Sequence, residues 1–230
     1  MKFISGILTA ASGSTGGCTF SRGRSGAYIR GRVVPINPGS TYQNVVRTAL
    51  ASLVARWTST LTPAQRSAWD SWAIATPQSG WGGQTYQMTG QNAYVMMNSL
   101  RKQFYGSYIN NPPTINAGTA LTPPILTKAD VSDQSLTFSF NNTDEWAQDN
   151  ASLLILHQAR PQNPSVNYFK GPYRYAGILQ GDGITPPTSP QTIAASFPFA
   201  LGQRVHVRFR SQAIDGRISS VVRSSIISVA

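Results

Sequence analysis

Residues 203–213 read "QRVHVRFRSQA", and their strict alternation decides the architecture of the C-terminal half. Val205, Val207 and Phe209 point to one face of a strand. Arg204, His206, Arg208 and Arg210 point to the other. One side is built for a core and the other for water. Similar short runs flank it: "SLTFSF", "ASLLILHQ", "YRYAGIL", "TIAASFPF" and "SSVVRSSIISVA", punctuated by Pro, Gly, Asn and Asp. Six or seven such strands in about 110 residues predict an antiparallel β-sandwich over 125–230.

Moving towards the N-terminus, the pattern changes. "YGSYINNPPTINAGTALTPP" reads as a linker over 107–124, because Pro and Gly remove helix and ladder options. Before it, 39–106 predicts a small three-helix domain. Ser40-x-x-Gln43 forms a capping box, and Val45, Val46, Ala49, Leu50, Leu53, Val54 and Trp57 then recur at helical spacing. A second box, Thr62 to Gln65 with Pro63 between them, starts a helix carrying Ala68, Trp69, Trp72 and Ala73 and ending before Pro77. The third helix runs from about Gly90 to Phe104, with Ala93, Tyr94, Met97, Leu100 and Phe104 on one side.

Residues 1–38 predict a basic β-ribbon arm. "GCTFSR" and "AYIRGRVVP" flank the reversal "GRSG", and Tyr28, Arg30, Arg32 and Val34 share one face of the second strand. A two-stranded ribbon is marginal alone in water and calls for a partner surface. The fold class is therefore α+β: an arm, a helical domain and an Ig-like antiparallel sandwich.

Charge is sparse and uneven. Only 12% of the residues are charged, yet the chain carries +11. Residues 1–120 hold ten Lys and Arg against one acid, Asp70; residues 121–230 hold nine against seven. A strongly positive field favours a polyanion or an acidic protein surface. Arg22, Arg24, Arg30 and Arg32, with Tyr28, are the candidate partner-binding residues. The segment has almost no lysine, and arginine's planar, weakly hydrated fork favours protein contacts over non-specific phosphate binding. DNA is a secondary partner. The second helix, "AQRSAWDSWA", makes a poor reading head for a helix-turn-helix.

Catalytic constellations are absent from the pattern, which predicts a non-enzymatic protein without cofactor or metal. His157 and His206 fall on strands, and neither has a nucleophile in an elbow motif. Asp144, Glu145 and Asp149 sit in "NNTDEWAQDN", where turn chemistry accounts for them. Trp146, Tyr168, Tyr173 and Tyr175 offer a non-catalytic carbohydrate contact, with sheet packing the plainer account. The single cysteine, Cys18, excludes an intrachain disulfide and reads as a small buried or half-buried thiol. "MKFISGILTAASG" is a weak leader signature, and no run is long enough to span a membrane.

Three stretches together carry a resemblance: "SGSTGGCTFSRGRSGAYIRGRVVPINPGSTYQNVVRTAL", "LTPAQRSAWDSWA" and "SGWGGQTYQMTGQNAYVMMNSLR". Over roughly residues 10–105 the chain resembles small structural proteins encoded by tailed bacteriophages and prophages. Its C-terminal half is similar in general terms to the Ig-like or fibronectin-like sandwiches appended to virion proteins. The resemblance implies a virion structural protein, assembled in the host cytoplasm, with no enzymatic activity. The expected role is capsid cement or decoration, with the major capsid protein and copies of the chain itself as partners. A tail, neck or baseplate component is the alternative of the same class. A nucleic-acid-binding protein using the basic half is the alternative of another.

Overall fold

The computed structural model describes residues 12–23, 26–34, 36–37, 39–79, 85–104, 107–115 and 118–230. The chain divides into two compact units, residues 1–44 and 45–230. Helices and antiparallel sheets are both present, so the chain is α+β.

The first unit is a three-stranded antiparallel sheet of β1 (Gly13–Thr15), β2 (Cys18–Gly23) and β3 (Gly26–Gly31), in that order. The expected ribbon is there, with β1 as an added strand. Gly16, at φ +56°, makes the reversal that folds β1 onto β2. This reversal also shortens β3. The expected strand ran on to Val34, but Cys18 pairs with Gly31 and β2 has no residues left to pair beyond it. The last tie is Arg32 N–H donating to Gly17 O at 2.8 Å. Val33, Val34 and Ile36 then stand 75%, 78% and 92% exposed. Cys18 is exposed, contrary to the sequence reading, because it sits where β2 leaves the turn rather than under a second layer. The leader signature falls largely on residues 1–11, outside the described residues, as do Arg24 and Ser25 of the reversal.

Both capping boxes form. Ser40 and Gln43 exchange bonds at 3.3 and 3.4 Å at the start of α1 (Thr41–Ser59). Thr62 and Gln65 do so at 3.0 and 3.2 Å ahead of α2 (Pro63–Ala75). The third helix, α3, spans Gly90–Phe104. Between α2 and α3, β4 (Gln78–Ser79) pairs with β5 (Thr85–Tyr86).

Leu53, Leu61, Trp69, Trp72, Ala73, Ala93, Tyr94 and Met97 form one buried cluster, with Trp57 packed against it. Tyr94 meets Trp57 and Trp69 at ring distances of 5.7 and 5.6 Å. Gly90 is required where α3 starts: a Cβ there would lie 2.4 Å from Asp70 Oδ1 and 2.6 Å from the Asp70 backbone nitrogen. Asp70 Oδ1 accepts the Gly90 N–H at 3.0 Å, so the one acid of the N-terminal half closes a helix end. The stripe on α1 is wider than its cover. Ala49 and Leu53 are buried, but Val45, Leu50 and Val54 are exposed.

Seven strands follow: β6 (Ile125–Asp130), β7 (Ser135–Ser139), β8 (Leu153–Ala159), β9 (Tyr173–Gln180), β10 (Gln191–Ala194), β11 (Arg204–Gln212) and β12 (Val222–Ile227). They make two antiparallel sheets, β10-β7-β6 and β12-β11-β8-β9. A second cluster packs between them, with Leu136, Phe138, Leu154, Leu156, Val205, Val207 and Phe209 at its centre. The alternation of 203–213 is realised: Val205, Val207 and Phe209 are wholly buried. A single helical turn, α4 (Glu145–Gln148), carries Trp146 into this core.

The helices and the two sheets share one compact unit. The stretch expected as a linker is bonded on both sides. Asn98 Oδ1 accepts the Ile109 N–H at 2.7 Å, and Asn110 O accepts Trp69 Nε1–H at 2.8 Å. Further on, the N–H and hydroxyl of Thr122 both donate to Asp144, at 2.9 and 2.7 Å. Gln212, at the end of β11, donates to Met97 O of α3 at 2.7 Å, and Arg101 of α3 donates to Ala151 O at 3.1 Å. Both side chains are buried, so these bonds tie helices to sheet where water does not compete.

Candidate functional site

In the arm, the register brings Ser14, Thr19 and Arg30 into one row across the three strands. Ser14 and Thr19 share a hydrogen bond of 2.8 Å between their hydroxyls. Tyr28 pairs with Ser21 and lies two residues from Arg30, on the same face of β3. Tyr28 is half-buried, and Arg30 and Arg32 are exposed. Arg22 pairs with Ala27, a pair of opposite parity to Ser21–Tyr28, so the expected stripe is divided between parities. Arg24 lies outside the described residues.

The arm's arginines have no acid to answer them locally. The first acidic residue of the chain is Asp70. All three ion pairs among the described residues are in the second unit: Lys128–Asp130, Arg217–Glu145 and Arg217–Asp215. Of the six arginines between Phe20 and Trp57, Arg56 is structural: it donates to Asn110 Oδ1 at 3.1 Å and lies 4.0 Å from the Tyr108 ring centre. Arg30 and Arg32 face solvent. They offer planar donors, and the chain just after them exposes Val33, Val34 and Ile36.

The other candidates divide. Trp146 is wholly buried in the sandwich core and can contact no carbohydrate. Tyr168 is 65% exposed, and Tyr173 and Tyr175 are half-buried on the four-stranded sheet. Asp144 is taken up by Thr122 and Asn141, and Glu145 by Thr119 and Arg217, so these acids brace a loop. His206 is buried with Nε2 2.9 Å from Val166 O. His157 is held low, at about 4, by burial first and then by Arg208 and Arg210. No group of three His, Cys, Asp or Glu with metal-binding spacing occurs among the described residues. No described helix is long and apolar enough to cross a membrane.

Sequence reasoning missed one feature. Arg208, Arg223, His157 and Tyr175 come from four strands and meet in register on the outer face of β12-β11-β8-β9. Alternation within β11 had placed Arg208 on the water side. Its neighbours depend on a register between distant strands that no local pattern encodes.

No family model matches this chain. No curated protein matches it either. Among solved structures it is similar to a β-1,2-glucanase from Parabacteroides distasonis, with 12% identity and a TM-score of 0.30 over 50% of this chain. It is also similar to the BSP domain of a biofilm-associated protein, with 14% identity and a TM-score of 0.27 over 48% of this chain. The matches span 14% and 15% of those chains. Likenesses of this size carry no argument about function.

Proposed function

We propose that this chain is a non-enzymatic structural protein of a tailed-phage particle, a capsid cement or decoration protein that grips the assembled shell through its N-terminal arm. The observation that carries the reading is the arm itself. It is a single-layer sheet, rich in arginine and free of acid, with three apolar residues exposed beside it. A surface of that kind is complementary to an acidic, partly apolar protein surface. Residues 45–230 are themselves net positive, with fourteen Lys and Arg against eight Asp and Glu, a balance of +6. On this reading, which takes its partner from the resemblance to phage structural proteins, the complementary surface belongs to another virion protein, the major capsid protein, with copies of this chain occupying symmetry-related sites. Binding only the assembled form stabilises that form by mass action.

The second unit fits a projecting or bridging role. Its two antiparallel sheets, of three and four strands with a shared core, support reading it as an Ig-like sandwich. The test is cosedimentation with empty shells and, separately, with DNA, over a salt series. Shell binding that survives moderate salt, with weak DNA retention, supports the reading. DNA binding that falls by about 0.9 log units per log of salt for each phosphate contacted, without shell binding, overturns it.

A further inference from the structure

The four-stranded sheet packs one face into the core, and its other face is covered at both ends. At one, His206 is buried with Nε2 2.9 Å from Val166 O and its ring 5.9 Å from that of Phe169. The Gln212 end meets a helix: α3 lies over it, fastened through Gln212 and Met97. Beyond the helices the row Arg223–Arg208–His157–Tyr175 crosses all four strands. Arg210 is the next residue of β11 on the same face. This cluster contains no counterion. No carboxylate of the described residues is within ion-pair distance of Arg208, Arg210 or Arg223, and nearby Asp215 and Glu145 are paired with Arg217.

Aromatic rings orient two of these cations. Arg208 lies 5.2 Å from the Tyr173 ring centre, and Arg223 5.7 Å from that of Tyr168. A guanidinium held over a ring keeps its in-plane N–H groups available to an oxyanion. Arg210 gives Nε–H to Ser219 O at 3.1 Å. His157 Nδ1 is buried without a partner. At the step between sheet and helices lies a cleft of about 380 Å³, lined by Trp72, Thr76, Gln78, Met96, Met97 and Arg210 among others. Trp72 also keeps a buried Nε1–H without an acceptor.

We infer that this face binds an extended acidic polypeptide segment, with one carboxylate between Arg208 and Arg223, the next at Arg210, and an apolar side chain in the cleft. Residues two apart on an extended chain are roughly 6.6–6.8 Å apart, the same repeat that separates Arg208 from Arg210 along β11. A third position on that face of the ligand reaches the methionines of the cleft. Nucleic acid fits less well, since the rings it would stack on already carry guanidinium groups. This site is separate from the arm and stands whether or not the arm binds a shell.

The full chain is titrated with the terminally blocked peptide Leu-Ser-Glu-Ser-Glu-Ser-Leu, which reads alike in both directions, at low salt. Calorimetry gives the affinity, and the His157 ring signal reports the site by NMR. Saturable binding is expected, with the His157 pKa rising as a neighbouring anion arrives. The Gln-for-Glu peptide and Arg208→Gln should each bind about tenfold more weakly, while Arg30→Gln/Arg32→Gln should bind as the parent does. Arg223→Gln, at an exposed position, gives the same reading if Arg208→Gln does not fold. Equal binding of the two peptides, unchanged affinity in both Arg208→Gln and Arg223→Gln, or no saturation overturns the inference. Tighter binding of oligothymidylate than of the peptide overturns the polypeptide assignment.

Discussion

The arm and the helix–sandwich unit are both built partly of antiparallel strands, yet they differ in what lies on either side of those strands. In the second unit β6–β12 enclose a core between two sheets, and α3 closes one outer end through Gln212 and Arg101. In the arm, three strands form one layer, and among the described residues nothing before Ala49 is buried. A lone small sheet gains little from burial in water. The difference locates stability in one region and available surface in the other. Among the described residues, Arg30, Arg32, Val33, Val34 and Ile36 are exposed there, and the proposal of a partner rests on that surface.

The sharpest way to break that contrast is to truncate one aromatic in each region. Phe138→Ala, in the sandwich core, should cost about 3–5 kcal/mol by chemical denaturation. Tyr28→Ala, in the arm, should leave the same transition unmoved. If Tyr28→Ala lowers the denaturation midpoint as Phe138→Ala does, the arm is part of the stable core and the contrast fails.

Acid offers a smaller, graded test confined to the second unit. His157 is held at about 4 in the folded chain against an ordinary 6.5, so between these values the unfolded chain binds more protons. Stability should rise with pH across that window and be lost as pH falls from 6.5 to 4, by about 1–3 kcal/mol. Urea midpoints over the range check it, and His157→Gln should flatten the slope. A midpoint that does not change over the window would mean His157 titrates normally.

Much of this was legible in the sequence, and what was missed has physical causes. Both capping boxes and the inward half of the 203–213 alternation are local signals, and they formed as read, while His206 on the other side is buried. β6 was hidden because its pattern is broken by a bulge between Leu126 and Lys128 and begins on an exposed Ile125. β1, "GST", has little β-propensity and exists because Gly16 folds it onto β2. For Trp146 the packed account was the plainer one, and it packs, though on the single turn of α4 rather than on a strand. Gln212 looked like any polar residue at a strand end, and only tertiary packing gives it α3 as a partner. The arginine row was half legible: parity along β11 was visible, and cross-strand register was not.

The smallest effects compare the two capping boxes. Thr62→Ala, inside the second unit with bonds of 3.0 and 3.2 Å, should cost about 1 kcal/mol. Ser40→Ala, beside the arm with the longer pair, should cost at most about 0.5 kcal/mol. Equal losses would show that α1 is anchored at both ends as firmly as α2 is at its start.

The central claim is that the arm's arginines hold a protein shell, and cosedimentation with empty shells tests it most directly. The full chain and an Arg22→Gln/Arg24→Gln/Arg30→Gln/Arg32→Gln variant would be compared at moderate salt, with thermal melts run alongside. The expected result is shell binding by the parent only, at melting temperatures within about 2 °C of each other. A variant that melts like the parent and still sediments with shells as the parent does would contradict it.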